Sequence, residues 1–293
     1  MKLGAVFPQT EIGSDPKVVR DFAQTVEEAG FDHLLVYDHV LGATHDREPK
    51  LAASYSEKSL FHEPFVLFGY LAAATSRIEL ATGVIILPQR QTALVAKQAA
   101  EVDILSGGRL RLGIGVGWNY VEYDALNENF KNRGKRQEEQ VEVLRKLWSE
   151  PVVSYKGEYH EIDRAGLLPL PERQIPIWWG GFTPVAYERG ARLGDGFMFG
   201  GDAEGAIKAL EQTRGFMRDA GRDPEGFGAD LILFDSSISD VGAIASELDA
   251  WKQAGGTHAS IVTMNQDLAN PQAHLDALLA VRRAAVDAGV IES

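Results

Sequence analysis

The sequence predicts an α/β fold, a (β/α)₈ barrel of the TIM type with an insertion after its fourth strand. Short apolar runs alternate with amphipathic helices, eight such units can be counted, and no linker-like stretch divides them. Parallel strands need long crossovers, and helices supply them. Eight units close into a barrel of about 250 residues, and the 293 residues leave room for one insertion. We expect one domain over residues 1–293, with the insertion over about 118–175.

Leu3–Phe7 is the first strand. Asp15-Pro16 opens a helix that stops at Gly30, with Asp as N-cap and Pro at the first helical position. Leu34–Tyr37 is the second strand, and a helix from Glu63-Pro64 runs to Ala74. Ile78–Ile86 contains the third strand, and the helix Ala93–Leu105 ends at Ser106-Gly107-Gly108. Leu110–Ile114 is the fourth. The expected insertion carries a charged helix, Arg133–Trp148, and alternating runs about Lys156-Gly157 that read as a hairpin. Strands at Pro176–Trp179, Gly196–Phe199, Ala229–Phe234 and Ala259–Thr263 follow. Their helices are Pro184–Leu193, Ala203–Ala220, Val241–Ala254 and Pro271–Ala288. The polar loop from Gly42 to Leu60 has no periodicity and is either a lid or a plain surface loop.

Composition narrows the function. A hydrophobic fraction of 45% and a charged fraction of 24% are those of a soluble globular protein. The 29 basic against 42 acidic residues give a net charge of −13. Such a surface repels nucleic acid and anionic membrane, so neither is expected as a partner. A small anion can still be gripped by backbone N–H groups. The absence of cysteine excludes disulfides, thiolate metal sites and a cysteine nucleophile. Met1–Pro8 does not make a signal peptide, and no apolar run approaches the ~20 residues of a membrane span. A cytoplasmic location is the expectation.

Ligands of such barrels bind at the C-terminal ends of the strands. Asp38-His39 lies at one mouth position. The histidine either meets a ring and adjusts its charge, or the pair satisfies its own loop. Gly113-Ile114-Gly115-Val116-Gly117-Trp118 is G-x-G-x-G, without the spacing or following helix of a dinucleotide fold. Its small residues either let a flat ring approach the backbone or serve packing. Trp179-Gly180-Gly181-Phe182-Thr183-Pro184 runs from a strand into a helix. Its free N–H groups form a phosphate cradle or a tight turn. The seven histidines form no H-E-x-x-H, and there is no G-x-S-x-G elbow. Paired glycosidase carboxylates would need Glu63 and Glu122, and neither follows a strand directly.

Taken in order, these strand ends resemble the luciferase-like monooxygenases and the F420-dependent oxidoreductases that share their barrel. The residues are Tyr37-Asp38-His39-Val40, Phe61–Phe65, Ala81–Arg90, Leu105–Leu110, Gly113–Trp118 and Trp179–Pro184. The resemblance implies Asp38 and His39 as the catalytic pair, with His39 facing the reactive edge of a deazaflavin. It implies cofactor contacts at Asp38, His39, Thr82, Gly83, Val84, Gly115, Gly117 and Trp118. It implies a non-prolyl cis peptide at Gly83-Val84, and a phosphate site at Gly180, Gly181, Phe182 and Thr183. The sugar-phosphate dehydrogenase branch carries a glutamate proton donor where this chain has Trp118, which argues against a sugar-phosphate substrate. Glu63, Gln89, Arg90, Asn119 and Glu122 are candidate substrate-pocket residues. Burial beneath Trp118 or Trp179 would limit water access.

Three functions follow. The first is F420-dependent hydride transfer to or from a small organic substrate. The second is an FMN-dependent monooxygenase using dioxygen. The third is a flavin- or deazaflavin-binding protein without turnover. No metal is expected. The resemblance also implies a homodimer through helices near the second and third barrel units.

Overall fold

The computed structural model describes residues 1–51 and 55–292. The chain runs β1 (Lys2–Val6), α1 (Pro16–Glu28), β2 (His33–Val36), α2 (Pro64–Ala74), β3 (Glu79–Thr82), β4 (Ile85–Ile86) and α3 (Thr92–Ser106). Next come β5 (Leu110–Gly115), α4 (Tyr120–Ala125), α5 (Arg133–Ser149), β6 (Val153–Lys156) and β7 (Glu161–Ala165). The rest is β8 (Ile177–Gly180), α6 (Pro184–Leu193), β9 (Gly196–Gly201), α7 (Ala203–Asp219), β10 (Gly228–Leu233), α8 (Val241–Gln253), β11 (His258–Ile261) and α9 (Pro271–Asp287).

Four helices start as the sequence dictates. Asp15, Glu63, Thr183 and Asn270 cap α1, α2, α6 and α9 through their side chains, each with proline in the first turn. On α1, Val19, Phe22, Ala23 and Val26 recur at helical spacing and form the buried stripe. Gly107 closes α3 in the left-handed region, at φ 72°, where a side chain would be strained.

Strand β1 pairs with β2 and β11, β2 with β3, and β3 with β5. Strand β5 continues to β8, then β9, β10 and back to β11. All these pairings are parallel, so eight strands close into the expected barrel. The third strand is broken. From Ala81 to Ile85 the chain advances four residues while β5, from Arg111 to Ile114, advances three. One residue is extra, which is a bulge, and it falls at Gly83-Val84. Strand β4 then resumes pairing with β5.

Within the expected insertion, α5 packs between α3 and α6 and occupies the fourth place in the helical ring. Strands β6 and β7 form the hairpin, and its turn lies at 157–160, where Gly157 N–H donates to the His160 carbonyl at 2.9 Å. Glu139 on α5 holds that turn through Glu158 N, Tyr159 N and His160 Nδ1.

Alternation along the strands sends every second side chain into the barrel. His33, Arg111, Asp230 and Ser260 form a buried polar layer near the N-terminal ends. Arg111 donates to Asp230 and to Glu79, both at 2.8 Å, and lies 4.3 Å from the Trp178 ring centroid. An apolar layer of Val6, Leu35, Ala81, Trp178, Met198, Ile232 and Val262 follows, with Tyr37 and Val84 packed on its mouth side. Trp179 has the opposite parity. It is buried against Gly190 and Gly194, in the α6 layer. The expectation that Trp179 shields a ring at the mouth is therefore wrong, because one residue of register sends a side chain to the other face.

Candidate active site at the barrel mouth

His39 lies three residues beyond β2. Its Nδ1 sits 3.2 Å from Glu122 Oε2. Glu122 Oε1 accepts from Val40 N at 2.6 Å and from Leu41 N at 3.0 Å. The glutamate is buried on α4, the short helix that Asn119 caps by accepting from Val121 N. Asn119 Nδ2 also donates to the Leu41 carbonyl at 3.1 Å. Segment 39–41 is thus tied to α4 at three backbone groups and one ring nitrogen. The rings of Tyr55, Phe61 and Trp118 surround the imidazole at 5.5, 4.8 and 5.2 Å between centroids. Among the described residues, His39 Nε2 bonds to no protein group, and it is not sealed from solvent. Of the loop over residues 42–60, residues 52–54 lie outside the described residues.

Asp38 performs a different task. Its carboxylate is buried and accepts from Arg90 Nη2 at 2.7 Å, Arg90 Nε at 3.2 Å and Ile86 N at 3.0 Å. Arg90 Nη1 extends the network to Glu63 Oε1 at 2.8 Å. Burial works against the Arg90 charge, but Asp38 and then Glu63 outweigh it and hold the guanidinium above its ordinary value. The group clamps β4 and the chain after the bulge onto the end of β2. Gln89 is buried, and its amide bonds to no protein group among the described residues.

The peptide Gly83-Val84 is cis. A Cβ on Gly83 would lie 2.2 Å from Leu35 Cδ2, so no larger residue fits at the bulge. Val84 reaches across the mouth. A Cβ on Gly115 would meet Val84 Cγ2 at 2.5 Å, and one on Gly180 would meet Val84 Cγ1 at 2.7 Å. These glycines do not expose bare backbone to a ring. They make room for Val84, whose half-buried face is the surface a ligand would meet. Gly117, at φ 63°, lies beside Ile86 in the same way. The Thr82 hydroxyl is buried and donates to the Gly113 carbonyl at 2.8 Å, which ties β3 to β5.

Gly181, Phe182 and Thr183 continue from the end of β8 into α6. Thr183 Oγ1 accepts from Ala186 N and caps α6. Among the described residues, the N–H groups of Phe182 and Thr183 donate to no protein acceptor. Gly181 has φ 152°, and a Cβ there would lie 2.7 Å from that of Ala186. The Phe182 ring leans over Gly200 and is 71% exposed. The structure brings His39, Val84, Gly115, Gly117, Trp118 and Gly180 to one rim, with Phe182 and Thr183 following directly on Gly180. Glu63, Arg90 and Asn119 are engaged in internal bonds.

Sequence reasoning named Tyr37 and Phe61 only within the segments that carry the resemblance, gave neither a role, and missed Tyr55. Tyr37, like Val84, packs on the apolar layer inside the barrel, and burial pushes its phenol well above the ordinary value. Its signal was parity, since it continues the inward series His33, Leu35. Phe61 had the resemblance of Phe61–Phe65 as its signal, and Tyr55 lies in aperiodic sequence and gave none.

The mouth fits a flat ring with an anionic tail on three counts. Val84 offers a half-buried apolar surface at the strand ends, His39 Nε2 has no protein partner among the described residues, and unpaired N–H groups precede a ten-residue helix. Among the described residues, no group of three or more His, Asp or Glu is placed to hold a metal ion. No helix of the described residues is long and apolar enough to cross a membrane.

A parallel barrel with its polar groups at the strand ends defines a ligand-binding enzyme fold. The luciferase-like monooxygenase family matches residues 1–287, so the chain belongs to that family and is a luciferase-like oxidoreductase. An F420-dependent hydroxymycolic acid dehydrogenase of Mycobacterium tuberculosis is 30% identical over 257 residues, covering 87% of this chain and 68% of that protein. An FMNH2-dependent dimethylsulfone monooxygenase of Pseudomonas fluorescens is 31% identical over 193 residues, covering 65% of this chain and 50% of its own. The solved structure of an F420-dependent secondary alcohol dehydrogenase shares the fold at a TM-score of 0.78, with 19% identity, over 97% of this chain and 98% of that one.

Proposed function

We propose that this chain is an F420-dependent oxidoreductase acting on a small organic substrate, with His39 at the reactive edge of the ring. The observation that carries the reading is the Nε2 of His39, free of protein partners among the described residues and held in an aromatic cage at the strand ends. A bound deazaflavin would supply a two-electron hydride donor or acceptor. Val84, Gly83 and Trp118 would support the ring, Gly115 and Gly180 would seat Val84, and Gly181, Phe182 and Thr183 would receive the phosphate through their N–H groups. Asp38 would position the bulge through Ile86 N and Arg90, while Thr82 would join β3 to β5. The cage of Tyr55, Phe61 and Trp118 would exclude water from the imidazole.

The FMN-dependent relative supports a second reading, a monooxygenase that uses FMN and dioxygen. Titration of the protein with F420 and with FMN, followed by tryptophan fluorescence, separates the two. The first reading expects tighter F420 binding. Tighter FMN binding replaces it with the second.

The outer face of α2 supports a homodimer. Val66 is 72% exposed and Tyr70 42%, on a helix apolar all round. Light scattering should give twice the 32.0 kDa chain mass, and Val66→Glu should give the single mass.

A further inference from the structure

We infer that Glu122 is a positioning residue that fixes His39 in its Nδ1–H tautomer and leaves Nε2 at the mouth as a hydrogen-bond acceptor. The inference rests on the reading of His39 as a ligand-facing group. It concerns the protein's own hydrogen bonds, whichever cofactor binds.

Val40 N–H and Leu41 N–H both point at Glu122 Oε1, at 2.6 and 3.0 Å. Backbone amides can only donate, so Oε1 must accept. A carboxylate then presents Oε2 as a second acceptor, 3.2 Å from His39 Nδ1. A neutral imidazole carries one N–H, and this geometry places it on Nδ1. Nε2 keeps its lone pair. The bond also fixes the ring plane, which Phe61 and Trp118 flank. The ligand group met at Nε2 is therefore one with an O–H or N–H to donate.

The same geometry dictates what a near-isosteric change does. In Glu122→Gln the amide has one acceptor oxygen and one donor nitrogen. The oxygen must remain on the two backbone N–H groups, because turning the amide would set donor against donor twice. The NH2 group then faces His39 Nδ1 and requires a lone pair there. The proton moves to Nε2, and the ring changes from acceptor to donor at the mouth without changing place.

The test is long-range 1H–15N correlation on 15N-histidine-labelled full-length protein without cofactor. Spectra are taken about two pH units above the ordinary histidine value of ~6.5, and His39→Gln identifies the resonance. We expect an Nδ1–H ring in the native chain, an Nε2–H ring in Glu122→Gln, and return of the Nδ1–H form in Glu122→Asp. An Nε2–H or doubly protonated ring in the native chain overturns the inference. So does an unchanged tautomer in a folded Glu122→Gln protein. The native spectrum decides the matter even where the variants fail to fold. Binding of FMN in place of F420 would remove the proposed function and leave this result intact.

Discussion

Arg90 grips Asp38 with two nitrogens, Nη2 at 2.7 Å and Nε at 3.2 Å, and the carboxylate is wholly buried while it does so. The pair sits at the root of the site without facing it. Removing one partner leaves the other charge buried and unpaired, which costs about 3–5 kcal/mol. Arg90→Met should lower the unfolding midpoint by about 10 °C, taking ~2–4 °C per kcal/mol for a domain of this size. Calorimetry checks this, and a midpoint within a degree or two of the native one would show that the pair does not anchor β4.

Val84 and the two glycines beneath it make a second prediction. Gly115→Ala puts a methyl 2.5 Å from Val84 Cγ2. Overpacking of this kind costs about 1–3 kcal/mol. Val84→Ala in the same chain removes the clashing carbon, so the double variant should recover most of the loss. Urea unfolding of the two single variants and the double gives the coupling energy. Simple additivity would mean that Val84 does not occupy the space above Gly115.

His39→Ala should separate chemistry from folding. The lost donor leaves one Glu122 oxygen short of a bond, at a cost of about 1–3 kcal/mol. Turnover with the cofactor that binds should fall about 10²- to 10⁴-fold, the usual worth of a group that exchanges a proton with the reacting centre. Steady-state kinetics beside a melting curve reads both. Full turnover would take His39 out of the chemistry.

The strands and helices were legible because their signals are local. Proline after Asp15, Glu63, Thr183 and Asn270 marked helix starts, and apolar runs marked strands. Glycine at 83, 115 and 180 marked places where a side chain does not fit, although not what fills them. Leu35 crowds Gly83, and the side chain of Val84 crowds Gly115 and Gly180, across strands far apart in sequence. The partner of His39 lies 83 residues away, on a short helix that no periodicity announces. The polar layer of His33, Arg111 and Asp230 depends on register, since one residue of slip would send all of it to the outer face.

That polar layer sets the response to acid. Burial opposes the Asp230 charge, but Arg111 and then His33 overcome it and hold its carboxyl well below the ordinary 3.8. His258 borders the layer, its ring centroid 5.6 Å from that of His33 and 4.9 Å from that of Trp178, and burial, aided by Arg111, holds it down to about 2 from its ordinary 6.5. Well above pH 6.5 His258 is neutral in both the folded and the unfolded chain, and it adds no slope. Below that value the unfolded chain takes up a proton that the folded one refuses, so stability falls as pH falls. The loss from this residue reaches about 2 kcal/mol at pH 5. Below pH 3.8 the unfolded chain also protonates Asp230 while the folded chain keeps it charged, and the decline steepens. Urea midpoints across pH 8 to 4, for the native chain and His258→Asn, isolate the histidine. The variant should lose less stability between pH 6.5 and 5 than the native chain does. Equal losses would mean that His258 takes up its proton in the folded barrel as readily as in water, and that the layer around Arg111 is open to solvent.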